Sequence, residues 1–216
     1  MKALIFDLDG TLLNTIGDLC QSTNYALKKF GYPTRTLEEV NSFVGNGMGL
    51  LIQRAVPKGT SEEIIQEVLK EMKVHYAEHY HDFTVPYPGI MELISECKAH
   101  RIPMAIVSNK ADPFVKKLCD LFFSDMIEVA VGETTDRPRK PAPDMVQYAM
   151  KKMNLGEMEA YYVGDSDVDV LTAKNTGLPC LAVTWGFRTE KELRVAGATD
   201  FIHDPLELLH RALEES

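Results

Sequence analysis

From residue 89 onward the chain repeats one pattern: a short unbroken apolar run, a polar cluster, then a segment with helical spacing. The runs are Met104–Val107, Met126–Val131, Tyr161–Val163 and Cys180–Val183, with a short one at Phe201–Ile202 and a first one at Ala3–Phe6. They are continuous rather than alternating, as strands covered on both faces are. Helical spacing fills the intervals near 89–100, 111–123, 143–154, 166–176 and 204–214. The last opens with Asp204, Pro205 and Glu207 in the positions of N-cap, N1 and N3. This repetition predicts an α/β fold built on a doubly wound, Rossmann-like parallel sheet.

Residues 14–83 break the pattern. Ile16, Leu19, Thr23, Leu27 and Phe30 keep helical period until Gly31, and Ile64, Ile65, Val68, Leu69, Met72, Tyr76 and Tyr80 form a second stripe of about five turns. Val85-Pro86-Tyr87-Pro88-Gly89 reads as the return hinge. The expected organisation is a catalytic core of residues 1–13 and 84–216 interrupted by a helical cap insert, 14–83.

Composition removes several function classes. Lys and Arg total 23 against 32 Asp and Glu, a formal charge of −9, which disfavours a nucleic-acid partner because such a partner needs a basic face. The first apolar run stops at Asp7, too short for a signal sequence, and nothing approaches the roughly 20 apolar residues of a membrane span. Cys20, Cys97, Cys119 and Cys180 form no CxxC pair and sit in apolar stretches. They read as reduced thiols of a cytoplasmic protein. Monomer and homodimer remain equally open.

The polar clusters carry the chemistry, since ligand sites of open α/β sheets form at the carboxyl ends of strands. The first run ends in Asp7-Leu8-Asp9-Gly10-Thr11-Leu12. Carboxylates at i and i+2 converge if Gly10 lets the chain turn, and can serve as nucleophile, proton carrier or ligand of a hard cation. The second ends in Ser108-Asn109-Lys110, which can hold phosphate oxygens or merely cap a helix. After the third comes Arg137-Pro138-Arg139-Lys140-Pro141-Ala142-Pro143, the densest basic stretch of an acidic chain and suited to an anion. The fourth ends in Gly164-Asp165-Ser166-Asp167-Val168-Asp169, placing Asp165 and Asp169 one helical turn apart.

Other motifs fail on their spelling. Val170 and Thr176 occupy the glycine and closing-acid positions of a would-be calcium loop that starts at Asp165. Gly45-Asn46-Gly47-Met48-Gly49 lacks dinucleotide spacing, and neither GxxxxGK[ST] nor GxSxG occurs. His75 and His79 are i,i+4 neighbours without HExxH, and an exposed helix face explains them.

DxDGT, S(N), KP and GDxxxD in this order, with the early helical insert, resemble the haloacid dehalogenase superfamily, and the resemblance spans essentially the whole chain. In detail the chain is similar to the phosphoglycolate phosphatase group at Asp7–Leu12, Val44–Gly47, Ser108–Lys110, Arg139–Pro143 and Trp185-Gly186-Phe187. It departs from many relatives at Asn14, where they carry Asp.

The resemblance implies an Mg²⁺-dependent phosphoric monoester hydrolase acting on a small phosphorylated metabolite, 2-phosphoglycolate first among them. Asp7 would be the nucleophile that forms an aspartyl-phosphate, and Asp9 the acid and then base. Ser108, the Asn109 N–H and Lys140 would bind the phosphoryl group. The metal would be held by Asp7, the Asp9 carbonyl and Asp165, with Asp169 steering bound waters or the lysine. The insert would act as a lid, with Gly45, Asn46 and Gly47 as its substrate loop. A sugar-phosphate mutase or a pyrophosphatase would share the same core. Mutase relatives typically carry a basic, hydroxyl-rich lid segment where this chain has its glycine-rich turn.

Overall fold

The first apolar run becomes β1 (Ala3–Phe6), buried at every residue. The computed structural model describes residues 1–156 and 158–214. In it β1 lies between β4 (Met104–Ala111) and β6 (Ala160–Gly164). Beyond β4 comes β5 (Val129–Glu133), and beyond β6 come β7 (Cys180–Val183) and β8 (Phe201–Ile202). Every pairing in this sheet is parallel. Counted in chain order the six strands run 3-2-1-4-5-6 across the sheet, so the order reverses between β1 and β6. A crevice outside the carboxyl ends opens at such a reversal.

The connecting helices are α5 (Ile90–Ala99), α6 (Asp112–Phe123), α7 (Asp144–Lys152), α8 (Asp167–Thr176), α9 (Glu190–Ala196) and α10 (Pro205–Leu213). Ile5, Ala105, Val107, Val131 and Tyr162 of the sheet pack with Met145, Val146 and Ala149 of α7. On the other wing Ala182 packs with Val170 of α8 and Leu193 of α9. These elements, with the chain start, form one compact unit: Met1–Leu13 and Pro86–Ser216. No described helix is long and apolar enough to cross a membrane.

The second unit, Asn14–Val85, holds four helices where the periodicity showed two. They are α1 (Ile16–Lys29), α2 (Leu37–Phe43), α3 (Gly47–Ala55) and α4 (Glu62–His79). The short α2 is set by a capping box between Thr36 and Glu39 rather than by an apolar stripe. Asp18, fully buried in α1, ties the two ends of this unit together. It accepts from the N–H groups of Phe83 and Thr84, each at 2.9 Å, and from the Thr84 hydroxyl at 2.6 Å. The chain enters and leaves through β2 (Leu13–Asn14) and β3 (Val85–Pro86), which pair as a ribbon.

β4 runs on past Val107 to Ala111, so Ser108, Asn109 and Lys110 lie within the strand rather than after it. Two more core elements differ from the sequence expectation. The third strand starts at Val129, not Met126, because the N–H groups of Met126 and Ile127 bond back to the Phe123 carbonyl and close the end of α6. Ile127 is buried all the same, and burial alone produced the apolar run. The other is α9, missing from the periodicity reading although its Thr189–Glu192 capping box and left-handed Gly197 bracket it.

Candidate active site

β1, β4 and β6 are neighbours, so the polar clusters at their carboxyl ends, in β4 within the strand itself, meet at one end of the sheet. Glycines set how closely. Gly10 has φ +91°, and a Cβ there would stand 2.3 Å from an Asp165 carboxylate oxygen. A Cβ on Gly164 would stand 2.3 Å from the Asp169 Cβ. A side chain at Gly10 would displace the Asp165 carboxylate, and one at Gly164 would displace Asp169 at the start of α8.

Asp7, Asp165 and Asp169 are all buried, and one carboxylate oxygen from each lies within 4.8 Å of the others. Lys140 answers two of them. Its Nζ is 2.9 Å from Asp7 Oδ1 and 2.8 Å from Asp169 Oδ1. Burial alone would disfavour the ammonium, but the charges of Asp169 and Asp7 more than offset this and hold Lys140 protonated. The carboxylates are raised in turn. Asp7 is pushed well above the ordinary range by burial and by the Asp169 charge, against the pull of Lys140. Asp165 is pushed up to about 7 by the same two causes, opposed by the hydrogen bonds it accepts.

Every oxygen of Asp169 is committed. Oδ1 accepts from Lys140 Nζ and, at 3.0 Å, from the Tyr162 hydroxyl. Oδ2 accepts from the Ser166 N–H at 3.1 Å and the Ser166 hydroxyl at 2.6 Å. Asp165 accepts from the Thr11 hydroxyl at 3.1 Å and the Phe187 N–H at 2.7 Å. The loop after β7 is anchored by Trp185, whose Nε1–H donates to the Thr11 carbonyl at 2.9 Å. A Cβ on Gly186 would meet the Asp165 Cβ at 2.3 Å and the Gly10 carbonyl at 2.4 Å, which is why this loop needs glycine there.

Asp9 stands apart from the three converging carboxylates and pairs with Lys110, Nζ to Oδ1 2.6 Å. Ser108 is buried, and its hydroxyl accepts from the Lys110 N–H at 3.2 Å. The Asn109 side chain faces the Lys140 main chain in both directions. Its Oδ1 accepts the Lys140 N–H at 2.8 Å and its Nδ2 donates to the Lys140 carbonyl at 3.0 Å. The amide therefore clamps the lysine. Lys110 and Asn109 belong to the Ser108–Lys110 cluster of the sequence, but neither the Lys110–Asp9 pair nor this role of Asn109 was legible there, and Tyr162 was not singled out.

The remaining candidates fall outside this cluster. Gly45, Asn46 and Gly47 form the turn from α2 to α3 in the helical unit, both glycines at positive φ and Asn46 at the N-cap of α3. His75 and His79 stack with centroids 4.2 Å apart and planes at 25°. In-plane lone pairs of rings so nearly parallel do not converge on one ion. Their Nδ1 atoms face Ser22 and Asp82.

The donor set suits a hard divalent cation. Four carboxylates (Asp7, Asp9, Asp165, Asp169) face two ammonium groups (Lys110, Lys140), leaving a charge deficit of two. Burial first, and then the neighbouring Asp169 charge, hold Asp7 and Asp165 above their ordinary range, and a cation there would offset both. All-oxygen donors with unbalanced charge are what hard divalent cations take.

The family model described as haloacid dehalogenase-like hydrolase matches residues 4–183. The phosphoglycolate phosphatase of Pseudomonas syringae pv. tomato is 32% identical over 219 residues, covering 99% of this chain and 80% of its own. That of Vibrio parahaemolyticus is 31% identical over 217 residues, covering 95% and 93%. A crystal structure from Lactobacillus delbrueckii subsp. bulgaricus, provisionally named phosphoglycolate phosphatase, has a TM-score of 0.93 at 32% identity and covers 100% of both chains. The family match takes in β4, β6 and β1 from its second residue, the strand ends at Asp7, Ser108 and Asp165 and the loop that bears Lys140, and the chain belongs to the haloacid dehalogenase-like hydrolases.

Proposed function

We propose that the protein is a Mg²⁺-dependent phosphatase of a small phosphorylated metabolite, with 2-phosphoglycolate as its first substrate, working through an aspartyl-phosphate. The observation that carries the reading is Lys140 spanning Asp7 and Asp169 beside Asp165. On this reading Asp7 is the nucleophile and Lys140 its positioning cation, beside carboxylates whose charge Lys140 alone does not balance.

Asp7 attacks phosphorus, and the bond to the leaving oxygen breaks as the aspartyl-phosphate forms. Asp9 gives a proton to that departing oxygen and takes one from the water that cleaves the intermediate. Ser108, the Asn109 N–H and Lys140 share the charge on the transferring group. Lys140 also orients Asp7, and Asp169, Tyr162 and Asn109 hold Lys140. Asp7, the Asp9 carbonyl and Asp165 would hold Mg²⁺, which when bound supplies the neutralisation that lets an anionic nucleophile approach an anionic ester. The Asn14–Val85 unit acts as the lid, with Gly45, Asn46 and Gly47 reading the leaving group.

The test is phosphate release from 2-phosphoglycolate, hexose phosphates, nucleotides and pyrophosphate with and without Mg²⁺. Fastest Mg²⁺-dependent release from 2-phosphoglycolate supports the reading. Preference for pyrophosphate, or interconversion of hexose phosphates without release, replaces it.

A further inference from the structure

We propose that Lys110 selects leaving groups that carry a carboxylate next to the ester oxygen, making the chain a hydrolase of 2-hydroxy-acid phosphates through a residue of the α/β unit. The proposal rests on the phosphatase reading above. A lysine side chain only 3% exposed is kept charged where an anion answers it. The two buried lysines of the site divide the work. Lys140 is bonded to Asp7 and Asp169, at the phosphoryl end. Lys110 is bonded to Asp9, the group that must meet the leaving oxygen.

That assignment fixes where the cation lies relative to the substrate. A general acid stands about 2.6–3.2 Å from the oxygen it protonates. An ammonium bonded to the same carboxyl then lies within roughly 6 Å of the leaving oxygen if both use one carboxyl oxygen, and within roughly 8 Å if they use different ones. In a 2-hydroxy-acid ester the carboxylate oxygens sit about 3 Å from the ester oxygen, three bonds along, and can turn toward Asp9. They therefore come within reach of Lys110 Nζ, which can hold Asp9 and the substrate carboxylate together. An alcohol without that carboxylate gains nothing from the cation.

Backbone placement makes the position dependable. Lys110 lies in β4, where pairing with β5 shifts between Val107 and Ala111. Its N–H is fastened to the Ser108 hydroxyl. A Cβ on Gly132 of β5 would stand 2.4 Å from the Asp112 Cα and 2.7 Å from the Lys110 carbonyl, so the turn from Lys110 into α6 lies directly against that glycine. Sites on strands hold their groups more tightly than sites on loops.

The test compares kcat/KM for 2-phosphoglycolate and its uncharged isostere 2-phosphoglycolamide in wild type, Lys110→Met, Lys110→Gln and Lys110→Arg. Both neutral variants should slow on both esters, because Asp9 loses its partner. The preference for the carboxylate ester should fall further, by about 10- to 100-fold, the worth of one charge-assisted hydrogen bond. Lys110→Arg should retain most of that preference. If Met fails to fold, Gln is read in the same way, and the wild-type ratio is read without any substitution. Equal slowing of the two esters in a neutral variant overturns the proposal and leaves the phosphatase reading intact. A wild type that does not distinguish the esters overturns it too. Only the absence of Mg²⁺-stimulated release from every ester overturns both.

Discussion

Ser166 and Asp169 bond to each other in both directions at the start of α8, the Asp169 N–H to the Ser166 hydroxyl and the Ser166 N–H to Asp169 Oδ2. This is a capping box with Asp where Glu is usual. The other oxygen of the same carboxylate holds Lys140 and Tyr162. One side chain thus fixes the helix start and the lysine that faces Asp7. Helix geometry and site geometry cannot vary independently here.

Ser166→Ala should therefore cost about 0.5–2 kcal/mol of stability, the ordinary loss of an N-cap, and also slow turnover. Asp169→Asn should cost more in rate, about 100-fold or beyond, because Lys140 keeps only one of its two carboxylates. Urea unfolding and kcat on the same preparations read both. Wild-type kcat in Asp169→Asn would show that Lys140 needs no orientation from α8.

Asp7→Asn should abolish turnover and leave the fold in place. The amide is a poor nucleophile, and removing a buried carboxylate whose ionisation is already disfavoured relieves repulsion rather than creating it. Rates and thermal unfolding together check this. Retention of more than a few per cent of the wild-type rate would remove Asp7 from the nucleophile's role.

Tyr162→Phe isolates the hydroxyl that bridges Lys140 and Asp169. The ring keeps its packing, but a buried donor and a buried acceptor each lose a partner, at about 1–3 kcal/mol. The expected signature is a lower kcat with KM nearly unchanged, since the loss loosens the lysine facing the nucleophile. A fall in stability with kcat intact would make Tyr162 structural only.

The candidate-site carboxylates Asp7 and Asp165 were legible because each follows an apolar run, and a run that ends in a polar cluster marks both a strand and the end where ligand sites form. What escaped was of two kinds. Tyr162 reads as one more apolar strand residue, since its hydroxyl acquires meaning only when α8 brings Asp169 across from it. Lys110 and the Asn109 side chain are similar: their partners Asp9 and Lys140 lie 101 and 31 residues away in sequence. The missed helix α9 and the misplaced start of β5 have a local cause. Capping and helix-end closure decide them, and hydrophobic period does not report either.

Gly186→Ala tests the loop that closes over Asp165. The added methyl would need space held by the Asp165 Cβ and the Gly10 carbonyl, and neither is the end of a flexible side chain. We expect destabilisation of about 1–3 kcal/mol and a weakened Mg²⁺ response, as the Phe187 N–H is drawn from Asp165. Magnesium titrations followed by thermal shift and by rate measure it. A wild-type Mg²⁺ response would show that the loop only packs.

Removing Mg²⁺ should expose the carboxylates' mutual repulsion as a pH dependence of stability. Asp165 ionises near 3.8 in ordinary surroundings and only near 7 in the fold, and Asp7 is raised in the same direction. Below about pH 4 folded and unfolded chains both hold the Asp165 proton, and the fold carries no penalty. Between pH 4 and 7 the unfolded chain releases it while the native state keeps it, so stability falls as pH rises. The loss is complete once pH passes the folded value and amounts to a few kcal/mol at most, on the order of one per pH unit. A cation held by these carboxylates replaces the proton, so Mg²⁺ should flatten the slope and bind more tightly as pH rises. At about 100 times its Kd it should add about 2.7 kcal/mol at neutral pH. Urea midpoints at pH 5, 6 and 7.5, with chelator and with saturating Mg²⁺, read every term. Equal slopes in the two series would mean that Asp7 and Asp165 do not share a metal.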